Sequence, residues 1–353
     1  MKVLPNNFHV YVSVLIGHFG LGISNFCVAW SSPILAKLGS LEDNPLGRVI
    51  TSLESGVLAA LPTTGALFGS YCFGYGSRTW GRRPTMIAIG FPTLLAYPML
   101  AYSTNIWEIY IARILCGISL GGAVLTDTIY FAEISGAKDR AFLGTAMTIF
   151  INVAGLLVLI IGTTTSYFVF HVILFVFSPI YLILAFFFLS ESPFYLIQKD
   201  SRKAEACLKV LRGINSVEKE LYDIQYSLEN NTEVHLGDIF SKRALRKGLI
   251  IGLGLVIFQQ LTGGSVISTY CQELFQGVEG GIPSEVVPVI YTIVTFVVSF
   301  LAPVFISRFG VKNMLVISTI GMSIALFIFG SYFVAKNTGI SVSSYLGFLS
   351  SVC

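Results

Sequence analysis

Charge is what this chain has least of. Only 12% of its 353 residues are Asp, Glu, Lys or Arg, about half the ~25% usual in soluble globular domains. A soluble fold must cover itself with polar groups, so this deficit excludes a set of water-exposed domains. The 22 basic and 19 acidic residues leave a net charge of +3, too little to imply a nucleic-acid partner. Four histidines and six cysteines are scattered along the chain, and none has the spacing of metal ligands. There is no nucleophile elbow, no phosphate-cradling glycine loop and no His–carboxylate cluster. An enzyme reading has no residues to rest on, and neither cofactor nor metal is expected.

Apolar residues, by contrast, make up 54% of the chain, with a mean hydropathy of +0.77. They are gathered into runs long enough to cross a ~30 Å hydrocarbon core. The runs fall near Phe8–Ala29, Gly56–Tyr75, Thr85–Tyr102, Ile109–Phe131, Ala141–Thr163 and Tyr167–Leu189. After a polar gap they resume at Gly248–Tyr270, Val286–Ile306 and Met314–Val334. Their length predicts helices, because a helix satisfies its own backbone in lipid and a barrel strand is about half as long. The first run is too long for a signal-peptide core and lacks a convincing cleavage site, so it is kept as a span. The run Ile340–Cys353 has 14 residues, or ~21 Å of helix, and is expected to be a partial tenth span.

Basic residues fix the orientation. Arg78, Arg82, Arg83, Lys138, Arg140, Arg308 and Lys312 lie at one set of ends, and the gap holds ten more between Lys199 and Lys247. The opposite loops hold Lys37, Arg48 and Lys336. The positive-inside rule then places the N-terminus and the gap in the cytoplasm. Residues 1–190 are read as a six-helix bundle, 191–247 as a cytoplasmic amphipathic linker and 248–353 as an incomplete second bundle. Within the linker Leu208, Leu211 and Ile214, then Leu221, Ile224 and Leu228, keep helical spacing. The Asn230–Thr232 sequon is on the cytoplasmic side and is discounted as a glycan site.

Chemistry concentrates in a few places. Gly117 and Gly121 give the fourth span a small-xxx-small face for close helix packing. Glu133 and Arg140 flank the following cytoplasmic turn, where opposite charges can latch one conformation. Gln259 and Gln260 are adjacent carboxamides in an apolar span. They answer sugar hydroxyls with donors and acceptors and no ion to desolvate, but they also serve as interhelical glue. Asp127 is an acid inside the fourth span: either a proton-loading site or a structural partner for Arg113 or a hydroxyl. The turns Ser77–Arg83 and Ser307–Lys312 echo one another, which fits two parallel repeats with substrate bound between them.

These features together resemble the sugar porter family of the major facilitator superfamily. The likeness rests on Leu115-x-Gly117-x-x-x-Gly121, Tyr130-x-x-Glu133 and Arg140, then on Gly81-Arg82-Arg83, Glu191-Ser192-Pro193 and Gln259-Gln260-Leu261-Thr262-Gly263. Trp30-Ser31-Ser32-Pro33 and Asn44-Pro45-Leu46-Gly47-Arg48 are similar to its facilitated trehalose transporter branch. The resemblance implies an all-α polytopic fold and alternating-access facilitated diffusion of a hexose or trehalose-like disaccharide, in the plasma membrane. It implies sugar contacts at Gln259 and Gln260, and at Thr148, Ser265 and Thr295, where amides are usual. Gating roles follow for Glu133, Arg140, Arg113, Gly81, Arg82, Arg83 and Glu191. Arg78 and Ser307 stand where the family carries acids, and the cytoplasmic charge latch is weaker for it. A proton-coupled symporter through Asp127, a binding-only receptor and an inactive truncated relative remain alternatives. The expected partners are a small-molecule sugar and the lipid bilayer; the oligomeric state is not legible.

Overall fold

The computed structural model describes residues 8–136, 139–213, 216–230, 242–270, 272 and 286–337. The expected partial span Ile340–Cys353, Lys138, Ile214, Cys271 and the sequon residues Asn231 and Thr232 lie outside the described residues, as do the side chains of Ser307 and Lys336. The first bundle is built from α1 (Phe8–Ala29), α2 (Ser31–Leu38), α3 (Ser52–Thr79), α4 (Arg82–Ala101), α5 (Ile106–Ile134), α6 (Arg140–Thr164) and α7 (Tyr167–Phe188). Three short helices follow: α8 (Pro193–Lys199), α9 (Ser201–Arg212) and α10 (Glu218–Asn230). The last group is α11 (Arg243–Leu261), α12 (Gly264–Thr269), α13 (Val286–Phe309) and α14 (Val311–Asn337).

Among the described residues, eight helical stretches, α1 with α2 counting as one, are long and apolar enough to cross a membrane. The 24-residue α13 adds about 36 Å of helix. Local chemistry sets several starts. Thr51 and Glu54 form a capping box on α3, and Asn105 and Glu108 do so on α5, each satisfying two orphan N–H groups. Two expected boundaries change. The first span runs on through Trp30 into α2, since Trp30 itself keeps helical dihedrals. The seventh, expected as one helix over Gly248–Tyr270, breaks after Leu261 because Gly263 adopts φ +75°.

The first bundle carries most of the buried side chains. Trp30, Tyr97, Tyr130 and Phe170 are sealed among its helices. α3 and α5 meet backbone to backbone: a Cβ at Gly117 would strike Pro62, and one at Gly121 would strike Ala66. The close-packing face expected on the fourth span is therefore where α5 meets α3. Below the bundle, Leu208, Val217 and Ile224 form a small apolar cluster with Leu221 and Leu228 packed against it, as the amphipathic pattern predicts. α13 packs on α6 and α12 on α1 and α2, whereas α11 has no buried residue.

Candidate functional site

The interruption between α11 and α12 places polar groups inside an otherwise apolar stretch. Gln259 and Gln260 end α11 and are both exposed. Across the break, Ser265 Oγ donates to Gln260 Oε1 at 3.1 Å, and Thr262 Oγ1 donates to the Gln259 carbonyl at 2.6 Å. A broken membrane helix presents the free carbonyls of one half and the free N–H groups of the other, which is how many transporters build a midplane site. All four side chains are uncharged hydrogen-bonding groups, matched to a neutral polyhydroxyl ligand.

The other expected contacts sit on the helices that bridge the two groups. Thr148 is half-buried on α6, and its carbonyl accepts from Asn152 Nδ2 at 2.9 Å. Asn152 also donates to Ser299 Oγ on α13 at 3.3 Å. Thr295, one turn before Ser299, is exposed and donates its hydroxyl to the Tyr291 carbonyl at 2.9 Å. The structure thus joins Gln260 to Ser265 directly and leaves Thr148 and Thr295 each one turn from the Asn152–Ser299 contact. Sequence reasoning missed Asn152; the signal was a carboxamide inside an apolar run, four residues after Thr148.

A second polar cluster lies where α4 begins and α5 and α7 end. Arg82 makes a bidentate pair with Glu133, at 2.9 and 2.6 Å, and Ser192 Oγ donates to the same carboxylate at 2.5 Å. Glu191 accepts from the backbone N–H of Arg82 at 2.8 Å and of Arg83 at 3.2 Å. A carboxylate there complements the positive end of α4. Gly81, at φ +111°, is tied to this geometry, since a Cβ would collide with the Glu191 carboxylate. Arg83 Nη2 donates to the Phe186 carbonyl at 2.7 Å. Beneath the cluster, Cys207 Sγ donates to the Glu191 carbonyl at 3.3 Å, and burial pushes this thiol up to about 11.

Two expected pairings are corrected. Arg140 donates to the Ala132 carbonyl at 3.1 Å; the latch expected between Glu133 and Arg140 is replaced by Arg82–Glu133. The chain leaves the helix at Ser135, and Arg82 reaches the carboxylate from the neighbouring turn. Arg113 does not meet Asp127: fourteen residues apart on one helix is ~21 Å. Arg113 instead donates to the Cys27 carbonyl and Ser31 Oγ, each at 2.7 Å, and stacks over Trp30 at 4.3 Å. The partner of Asp127 is His18, whose Nδ1 lies 2.6 Å from Oδ2, with both side chains buried.

Comparison with known proteins agrees with this architecture. Residues 10–352 match the family described as "Sugar (and other) transporter". The chain is 29% identical to the facilitated trehalose transporter Tret1 of Drosophila mojavensis, over 97% of this chain and 39% of that protein. It is 28% identical to Tret1 of Bombyx mori, over 97% of this chain and 66% of that one. It therefore spans less than two thirds of either relative. Among solved structures, the xylose transporter XylE from E. coli, partially occluded and inward open, superposes with a TM-score of 0.78 at 21% identity. That match covers 98% of this chain and 83% of XylE, and it establishes the fold. With multiple membrane-spanning helices, the major facilitator fold and a family match over nearly its whole length, this chain belongs to the sugar transporter family.

Proposed function

We propose that this chain forms the sugar-translocating path of a passive, alternating-access transporter for a hexose or a trehalose-like disaccharide. The carrying observation is the helix break after Leu261, which holds Gln260 and Ser265 together within a membrane stretch. Gln259 and Gln260 bind sugar hydroxyls, and Thr148, Ser265 and Thr295 supply shorter-reaching contacts. The Arg82–Glu133 pair, with Glu191 and Arg140 beside it, holds one cytoplasmic state. The N-terminus and the linker face the cytoplasm, and the plasma membrane is the expected site. A ligand held equally well in both states moves only down its gradient.

The test is equilibration of labelled trehalose and glucose by the purified full-length protein in liposomes. Gln260→Leu is expected to slow exchange at least tenfold while leaving the protein folded, since the side chain is exposed. Wild-type protein that binds these sugars without moving them would favour the receptor reading instead. The buried Asp127 motivates a second reading, proton-coupled symport. Uphill accumulation under an imposed pH gradient would replace the passive mechanism with that one.

A further inference from the structure

His18 and Asp127 bring three helices together at one buried point. His18 Nδ1 is 2.6 Å from Asp127 Oδ2 on α5, and Nε2 is 3.0 Å from the Leu143 carbonyl on α6. The rings of Phe131 and Phe150 flank the imidazole. A carbonyl only accepts, so Nε2 carries a hydrogen. The short Nδ1–Oδ2 contact needs a second hydrogen between its atoms. Whether that hydrogen sits on nitrogen or on oxygen, the pair holds two protons and is neutral overall. A neutral unit avoids the large cost of an isolated buried ion in lipid.

Among the described residues, the two tyrosines beside Asp127 do not take this proton. Tyr130 and Tyr181 are electrostatic neighbours of Asp127. Each uses its hydroxyl elsewhere, donating to the Ser190 carbonyl at 2.7 Å and the Met86 carbonyl at 2.8 Å. Asp127 Oδ1 has no hydrogen-bond partner among the described residues and borders a cavity of about 10 Å³ lined also by Gly17, Met86 and Tyr181. That volume is about one water. The pair also lies wholly among helices of the first bundle, which move largely as a rigid body when the halves rock. A proton held there is not presented alternately to the two sides.

We propose that His18 and Asp127 form a neutral, proton-sharing clamp that fixes α6 against α1 and α5 and so positions Thr148. Leu143 is a little over one turn before Thr148 on α6. The clamp stands on its own geometry; its bearing on sugar rests on the reading of Thr148 given above. Asparagine can reproduce it, because its Nδ2–H donates to a neutral Nδ1 while Nε2–H stays on Leu143. Leucine at 127, or phenylalanine at 18, cannot.

The experiment compares Asp127→Asn, Asp127→Leu and His18→Phe in the full-length protein. Thermal unfolding midpoints are measured in detergent, with the rate at which a cysteine placed by Thr148→Cys reacts with a methanethiosulfonate. Asp127→Asn is expected to keep the midpoint within a few degrees and the labelling rate within twofold. Asp127→Leu and His18→Phe should lower the midpoint clearly and change labelling at least fivefold. If Asp127→Asn is as damaging as Asp127→Leu, the proton-sharing clamp is wrong; unchanged labelling in His18→Phe removes the positioning role. Both readouts hold whether or not the liposomes show sugar exchange, so failure of the sugar reading is told apart from failure of the clamp. Gradient-driven sugar accumulation abolished by Asp127→Asn would also overturn it, making the pair a coupling site.

Discussion

Among the described residues, the first bundle and the helices α11–α14 are packed differently. In the first, four glycines mark where two backbones touch: Gly65, Gly69, Gly117 and Gly121 each leave no room for a Cβ between α3 and α5. In the second, Gly248, Gly252, Gly254, Gly321 and Gly330 have nothing among the described residues within 4 Å of where a Cβ would stand. Buried polar groups divide the same way. Arg113, His18, Asp127 and His171 are all sealed in the first bundle, and each is hydrogen-bonded there. Trp30 Nε1, for example, donates to His171 Nε2 at 2.8 Å while His171 Nδ1 lies 2.7 Å from the Tyr167 carbonyl. Gln259 and Gln260 on α11 and Ser265 on α12 are exposed, while Ser268 and Thr269 are half-buried. Among the described residues, the first bundle ties its polar residues into hydrogen bonds that hold it together, and a fully satisfied buried network of this kind fixes one packing.

The sharpest way to break this contrast is to fill a glycine on each side. Gly121→Leu must push α5 off α3, because the obstacle is the Ala66 backbone rather than a flexible side chain. Overpacking a core costs ~1–3 kcal/mol or more, and here no rotamer relieves it, so little monodisperse protein is expected. Gly254→Leu should leave the yield and the unfolding midpoint near wild type. Size-exclusion profiles of the two variants decide it; equal damage would show that α11 is packed as tightly as α5.

A smaller effect is expected from the Arg82–Glu133 cluster. The Arg82 and Glu133 side chains are 13% and 16% exposed, so removing one partner strands a charge with little water to solvate it. Arg82→Ala should cost ~3 kcal/mol, the low end for a broken buried pair. Arg140→Ala should cost well under ~1 kcal/mol, as for an exposed residue making one bond. Unfolding midpoints of the two variants check the order. Equal losses would restore the Glu133–Arg140 latch.

How much of this was legible in the sequence follows from what sequence periodicity measures. The membrane helices were readable because lipid demands ~20 apolar residues in a row, and the packing face on α5 because Gly117 and Gly121 are spaced for it. The linker's apolar side was readable from Leu208, Leu221 and Ile224. Which charges meet was not readable. Glu133 has basic residues near it in sequence at Arg140 and in space at Arg82, 51 residues away, and spacing along a chain ranks the wrong one first. His18 is likewise 109 residues from Asp127, and a lone histidine in an apolar helix gives no sign of its partner. The break in the seventh span had a local cue in Thr262-Gly263-Gly264, but the hydropathy run continued through it and concealed the interruption.

The smallest prediction tests the seam between the two regions. Asn152 on α6 and Ser299 on α13 are 3.3 Å apart, and Asn152 also donates to the Thr148 carbonyl one turn back. Because the carboxamide has this second acceptor on its own helix, losing Ser299 leaves it partly satisfied. Interhelical hydrogen bonds in membranes average about 0.6 kcal/mol, and a bond shared in this way should fall at or below that. A double-mutant cycle with Asn152→Ala and Ser299→Ala is therefore expected to give a coupling of ~0.5 kcal/mol in unfolding. Under the proposed alternating-access reading, the same cycle measured on sugar exchange should give a larger coupling, because rocking of the halves would break and remake a contact between α6 and α13. A coupling that is large in stability and absent in exchange would mean that α13 is a fixed part of the first bundle, and the contrast between the two regions would then end at α12.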